Sequence, residues 1–416
     1  MKRALVVFIV VLFAGLLCSE ELFASSTRTI KKEFKVKEGK ELELDLESGG
    51  SLDIIGWDKN VVAVEARIRG RDAEDVEVEF DERSSGVKIH SHYEGRRRNR
   101  KTNIHFDIKV PEKFNLSIST HGGGINISNV EGNISGETMG GELELERITG
   151  EVHLETMGGS VTVMDSDVDG EVKTMGGSVH IEDVVGDIKG STMGGRVTYR
   201  NVKRRSGKAG KEIHISTMGG DIELDYAGQD VRAKTYGGDI DVSRGEKVEV
   251  TTMGGDINVD EAPQGAEVTT MGGDIAVHTA GEYVKAKTMG GDIEIDAVDG
   301  WVKATTMGGD ITVTMVGDPD KGKREVELKS MGGDIELEVP AGLSMTFDIE
   351  LAYTKKSHQD YRIESDFDMN IEKTDEWEYK DGSKRKYIYG TGEVKGGKHL
   401  IKIRTINGNI CISKGK

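Results

Sequence analysis

Cysteine is nearly missing. Cys18 sits in an apolar N-terminal run, and beyond that run only Cys411 remains, so the mature chain has no partner for an internal disulfide. Aromatic residues make up 5% of the chain, and prolines number 4 in 416 residues. Glycine is abundant, at 56, but shows no Gly-X-Y period, which excludes collagen, and alternating Val and Ile exclude a disordered chain. That glycine content, with no apolar face at a spacing of about 3.6 residues, excludes helix. Positive charge is also short. A net charge of −18 repels phosphate backbones, so no nucleic-acid partner is expected. No apolar run after the N-terminus is long enough to span a bilayer as a helix. The histidines lack metal-ligand spacing, no Ser/His/Asp or Cys/His arrangement is identifiable, and no cofactor is implied.

What the chain does have is one phrase, repeated. TTMGGDINV, TTMGGDIAV, KTMGGDIEI and TTMGGDITV begin at residues 251, 269, 287 and 305, an 18-residue period. Aligned on its threonine, the series runs through Thr120, Thr138, Thr156, Thr174, Thr192, Thr217, Thr235, Thr252, Thr270, Thr288, Thr306 and Ser330, and closes at Thr405. Within 291–308 the apolar residues Ile293, Ile295, Val302 and Ala304 alternate, which is the period of a strand. A mid-unit glycine recurs at Gly132, Gly150, Gly170, Gly186 and Gly300, so each unit divides into two short strands and two turns. A propeller blade needs about 40 residues, so 18 fits one turn of a parallel β-solenoid. About a dozen coils at roughly 4.8 Å each give a rod on the order of 60 Å.

Outside the array, Met1-Lys2-Arg3, the apolar run 4–18 and small residues near Ala24 match a secretory signal peptide over 1–26. Residues 27–115 are strand-like without the repeat and are expected to form an N-terminal β cap, with SGGSLDI (48–54) a degenerate first coil. The β-helix proper is assigned to 116–340. Residues 341–416 form a C-terminal cap whose excursion returns for one last coil at 400–413. Segments 201–212 and 316–325, rich in Gly and Lys/Arg, fit loops inserted between coils.

SGGSLDIIGWDKNVVAVEA, KVPEKFNLSISTHGGGINI, the run of Gly-Gly-Asp-Ile phrases and the closing GTGEVKGGKHLIKIRTINGNICI resemble the bacterial putative-adhesin family of β-strand-repeat proteins. The resemblance implies an all-β, right-handed parallel β-helix, exported, with no catalytic or ligand residues to carry over.

Four features are candidates for function. The glycine pairs Gly140 and Gly141, Gly158 and Gly159, Gly176 and Gly177, Gly254 and Gly255, Gly272 and Gly273, Gly290 and Gly291, and Gly308 and Gly309 are expected to mark tight corners. Positive φ is the expected reason, as at Asn407. Next to them runs an acidic ladder: Asp221, Asp239, Asp256, Asp274, Asp292, Asp310 and Asp334. These carboxylates are expected to accept hydrogen bonds from turn N–H groups. Asp239, Asp256, Asp274, Asp292 and Asp310 are also calcium candidates, although the nonapeptide GGxGxD is absent. A methionine row (Met139, Met157, Met175, Met193, Met218, Met253, Met271, Met289, Met307, Met331) is expected to fill a corner of the core, the alternative being an adhesive stripe. Arg96, Arg97, Arg98, Arg100 and Lys101 fit a solvated hairpin loop or an anionic contact, and His90 and His92 share one strand face.

These features together predict an exported, non-catalytic solenoid in the periplasm, at the cell surface or outside the cell. Its partner would be a glycan or an envelope or surface protein, bound by weak contacts repeated once per coil. The alternatives are a polysaccharide-acting β-helix enzyme and a self-associating scaffold joined through its coil ends.

Overall fold

The computed structural model describes residues 26–95, 101–203, 212–357, 360–380 and 382–415. The expected signal peptide, all but its last residue, lies outside them, as do Arg96, Arg97, Arg98, Arg100 and most of the 201–212 segment. Among the described residues the one helical element is a 3-10 turn at Ala73–Asp75, and no helix is long and apolar enough to cross a membrane.

Each repeat lays down two short strands that pair in parallel with their equivalents one coil on. In one sheet Val248–Thr251, Ala266–Thr269, Tyr283–Lys287 and Trp301–Thr305 are successive neighbours. In the other they are Ile257–Ala262, Ile275–Ala280, Ile293–Val298 and Ile311–Met315. The register is one repeat, with Val250 beside Val268 and Ile257 beside Ile275. The protein is therefore an all-β column of stacked coils.

Alternation sends Val248, Val250, Ile257, Val259 and their equivalents inward, where they are buried. Parallel sheets are usually covered by helices. Here each sheet covers the other, and each buried side chain stabilises the column by about 1.5–3 kcal/mol.

The corner opposite the glycine pairs changes along the rod. Asn129, Arg147, Asp165, Asp183 and Asn201, one per coil, have φ between +48° and +57°. Arg147 Nε donates to Asn129 Oδ1 at 2.7 Å across the stack. The row stops where the inserted segment begins. Between Asn201 and Lys395 no described non-glycine residue has a positive φ.

Both ends depart from sequence order. Strands Glu41–Leu46 and Ser51–Trp57 do form a coil around SGGSLDI, stacked on Asn115–Thr120 and Ile125–Thr138. It is not the terminal coil, because Gly86–Tyr93 and Thr102–Pro111 lie on its outer side. The expected last coil, His399–Ile406 with Ile410–Lys414, is likewise inserted rather than last. It sits between Val326–Lys329 and Ile335–Val339 on one side and Met345–Thr354 and Ile363–Ser365 on the other. In both cases a later or earlier segment supplies the rung that exposed strand edges would otherwise lack. Beyond these rungs the sheets finish in antiparallel strands, with Val76–Arg83 and Ser26–Lys35 at one end and Ser383–Val394 at the other.

Candidate functional site

The repeated phrase builds one continuous corner along the rod. Its threonines are buried. Each hydroxyl works in two directions: Thr270 Oγ1 donates to Gly255 O of the preceding coil at 2.9 Å and accepts from Gly273 N–H of its own corner at 3.3 Å. Thr252, Thr288 and Thr306 repeat the pattern. In these coils a backbone carbonyl and a backbone N–H are thereby satisfied.

The methionines do not fill the core. Met139 through Met331 are 41–53% exposed, and Tyr236 continues the row where one coil lacks methionine. The strand keeps its alternation one residue past the inward threonine and bends only afterwards, so the next side chain points out.

The glycine pairs also differ from expectation, since none of them from Gly140 to Gly333 has a positive φ. The constraint is close approach of backbones. A Cβ on the second glycine of a pair would lie 1.9–2.2 Å from the equivalent carbonyl oxygen one coil back. At the first glycine it would meet nothing, or atoms no nearer than 3.3 Å. Asn407 does have a positive φ, +55°.

The aspartates form a ladder from coil to coil. Asp274 N–H donates to Asp256 Oδ1 at 2.8 Å, Asp292 N–H to Asp274 Oδ1 at 2.8 Å and Asp310 N–H to Asp292 Oδ1 at 2.7 Å. The row continues from Asp221 to Asn409. Each charge is thus offset by a donor on the neighbouring coil. The second oxygen of Asp221 accepts from Arg196 and that of Asp334 faces Asn409, while Asp256, Asp274, Asp292 and Asp310 each commit one oxygen to the ladder; calcium takes about six to eight. Beside the ladder, burial and then the carboxylates of Asp239 and Glu223 push the Asp241 carboxyl above its usual range.

Other groups come together only in three dimensions. His90 and His92 stack at 5.2 Å, with His90 Nδ1 3.1 Å from Asp45 and His92 Nε2 3.4 Å from Glu77. A serine, a histidine and two aspartates, which the sequence does not link, meet on the first coils: Ser51 Oγ is 2.8 Å from His105 Nδ1, and His105 Nε2 faces Asp53 and Asp107. Tyr283 and Trp301 stack one coil apart, centroids 5.0 Å and planes 12° apart, a pair whose 18-residue spacing was visible in the sequence. Next to Trp301 is a hollow of about 280 Å³ lined by Lys303, Glu325, Glu327, Leu400 and Lys402. In the 316–325 loop, Arg324 is 2% exposed, paired with Asp299 and bonded to the carbonyls of Val316, Asp318 and Lys321.

Residues 208–413 match the family model described as Toastrack DUF4097, so the resemblance carried by the repeat phrases holds over that stretch. No curated protein matches the chain. Among solved structures, a putative cell adhesion protein from Clostridium sporogenes ATCC 15579 is similar at 10% identity, with 94% of this chain and 100% of that one covered and a TM-score of 0.18. A putative adhesin from Bacteroides fragilis NCTC 9343 is similar at 18% identity, covering 67% and 97%, with a TM-score of 0.18. A putative lipid binding protein from Parabacteroides distasonis ATCC 8503 is similar at 11% identity, covering 66% and 96%, with a TM-score of 0.22.

Proposed function

We propose that this Toastrack-type column is an exported, non-catalytic binding protein of the cell envelope or surface, and that it holds a protein partner along its methionine ridge. The division into leader 1–26, N-terminal cap 27–115, β-helix 116–340 and C-terminal segment 341–416 belongs to the same reading. The observation that carries it is the ridge itself, one exposed thioether or tyrosine ring per coil from Met139 to Met331. Beside it the first glycines leave bare backbone. Flexible, polarizable methionine suits contact with an apolar protein surface, and a repeat every coil lets weak contacts add.

Catalysis has little support. Along the strands of the array the backbone N–H groups are spent on the parallel ladder. A second reading, glycan contact, is favoured by the Tyr283–Trp301 pair and its adjoining hollow.

Replacing Met253, Met271, Met289 and Met307 together by Ser tests the first reading. Cosedimentation of the purified chain with isolated envelope sheets should weaken by more than tenfold while the melting temperature stays unchanged. Undiminished cosedimentation would remove the ridge from the interface. Loss on replacing Trp301 by Ala instead would favour the glycan reading.

A further inference from the structure

The coil Glu41–Trp57 and the outer coil Gly86–Pro111 meet in register, with Ser51 beside His105 and Asp53 beside Asp107. Leu52 and Ile54 point into the core, so Ser51 and Asp53 point outward. On that outer surface His105 Nε2 lies 3.2 Å from Asp53 Oδ2 and 3.3 Å from Asp107 Oδ1. Those distances are the edges of a coordination tetrahedron: bonds of about 2.0 Å give ligand-to-ligand edges of about 3.3 Å.

The other polar atom of each group is already held. Ser51 Oγ sits 2.8 Å from His105 Nδ1, Asn126 Nδ2 donates to Asp53 Oδ1 at 2.8 Å, and Arg67 donates to Asp107 Oδ2. Outer contacts of this kind fix the tautomer and orientation of metal ligands. The three side chains keep 28%, 37% and 41% exposure for His105, Asp53 and Asp107, so the fourth direction is open to water.

Two other uses of the group are weaker. As a Ser-His-Asp hydrolytic set it lacks an oxyanion site, because the flanking Gly50 and Leu52 N–H groups are spent on Gly122 O and Gly124 O, both at 2.8 Å. As a plain ion pair it leaves Asp107 to Arg67 and needs a protonated His105 to offset Asp53, whereas a divalent ion offsets Asp53 with the imidazole neutral. In a comparable trio, Asp45, Glu47 and His90, Lys88 Nζ lies 3.6 Å from Asp45 Oδ2, the same oxygen that faces His90, whereas Arg67 holds the outer oxygen of Asp107 and leaves Oδ1 to His105.

We propose that Asp53, His105 and Asp107 bind a divalent transition-metal ion of the zinc class in tetrahedral geometry, with water as the fourth ligand. Asp53 belongs to one coil and His105 and Asp107 to the other, so the ion fastens the outer coil to the column.

The test uses the full chain, prepared without a histidine tag and stripped with chelator. Calorimetry with Zn²⁺ should show one equivalent per chain. Co²⁺ should give the intense visible absorption of a tetrahedral complex, and Zn²⁺ should raise the melting temperature. His105→Gln and Asp53→Asn should each weaken binding more than tenfold. Ser51→Ala, which removes only an outer contact, should weaken it by about tenfold. Circular dichroism checks that each variant is folded, and the Ser51→Ala result stands even if a ligand variant is not. Absence of heat and of the Co²⁺ band overturns the proposal. So does binding that survives His105→Gln, or binding lost in His90→Gln instead, which would place the ion at the other trio.

Discussion

At the corner of each coil a hydroxyl and a missing side chain do separate jobs. The second glycine must be glycine because the backbone of the preceding coil occupies the space a Cβ would need, 2.2 Å from Gly238 O at Gly255. The first has room, its nearest atom being Gly237 O at 3.6 Å from a Cβ on Gly254. Urea melts should therefore separate neighbours: Gly255→Ala is expected to cost about 1–3 kcal/mol or more, as overpacking does, and Gly254→Ala far less. Thr270→Val keeps the shape but leaves Gly255 O and Gly273 N–H without their partner, at a cost of about 1–3 kcal/mol. Thr270→Ser retains the hydroxyl and should recover most of that loss. Equal effects of the two threonine substitutions would show that the hydroxyl bridge contributes nothing.

At the scale of the coil, local exceptions are compensated within the same rung. Tyr199 is buried where neighbouring coils carry Ile181 and Leu224, and Gly190 stands where they carry Val172 and Ile215. A Cβ on Gly190 would lie 2.9 Å from the Tyr199 hydroxyl, so the large residue fills what the small one vacates. The pairing is legible from the 18-residue spacing once the inserted segment is allowed for. The packing at Arg324 is not, because its partners come from loop backbone and from Asp299 on another coil. His399, on the inserted C-terminal coil, is buried. Burial, followed by the Lys398 charge, lowers its pKa from 6.5; Arg324 adds to this and Glu325 opposes it. The folded state thus binds a proton at His399 less readily than the unfolded chain. That stabilisation is present above the free imidazole value of 6.5 and is lost as pH falls through the depressed folded value. Melting temperature should fall on acidification through this window, and His399→Gln should flatten the fall. An unchanged pH slope in the variant would rule His399 out as the cause.

The whole molecule is a charged rod on the order of 70 Å long at about 4.8 Å per rung, longer than the repeats alone require because both caps add rungs. Its ends are finished by antiparallel strands, and the edge strand VEVEFDER (Val76–Arg83) carries charge, which discourages pairing with another chain. With a net charge of −18 the expected state is an elongated monomer. Sedimentation velocity should show one slow species with a high frictional ratio. Linear polymers at moderate salt would instead support assembly through the coil ends.

By itself the sequence determined the 18-residue turn, the parallel stack and the inward Val and Ile positions, because each of these is a periodic demand of one strand pairing with its own copy. Only the tertiary structure decided the out-of-order coils at both ends, the inward turn of the threonines with the outward turn of the methionines, and the meeting of Asp53 with His105 and Asp107. The end contacts join segments that share no period, and the side a methionine faces depends on which residue the chain bends after, which is set by the space the preceding coil leaves at its glycine.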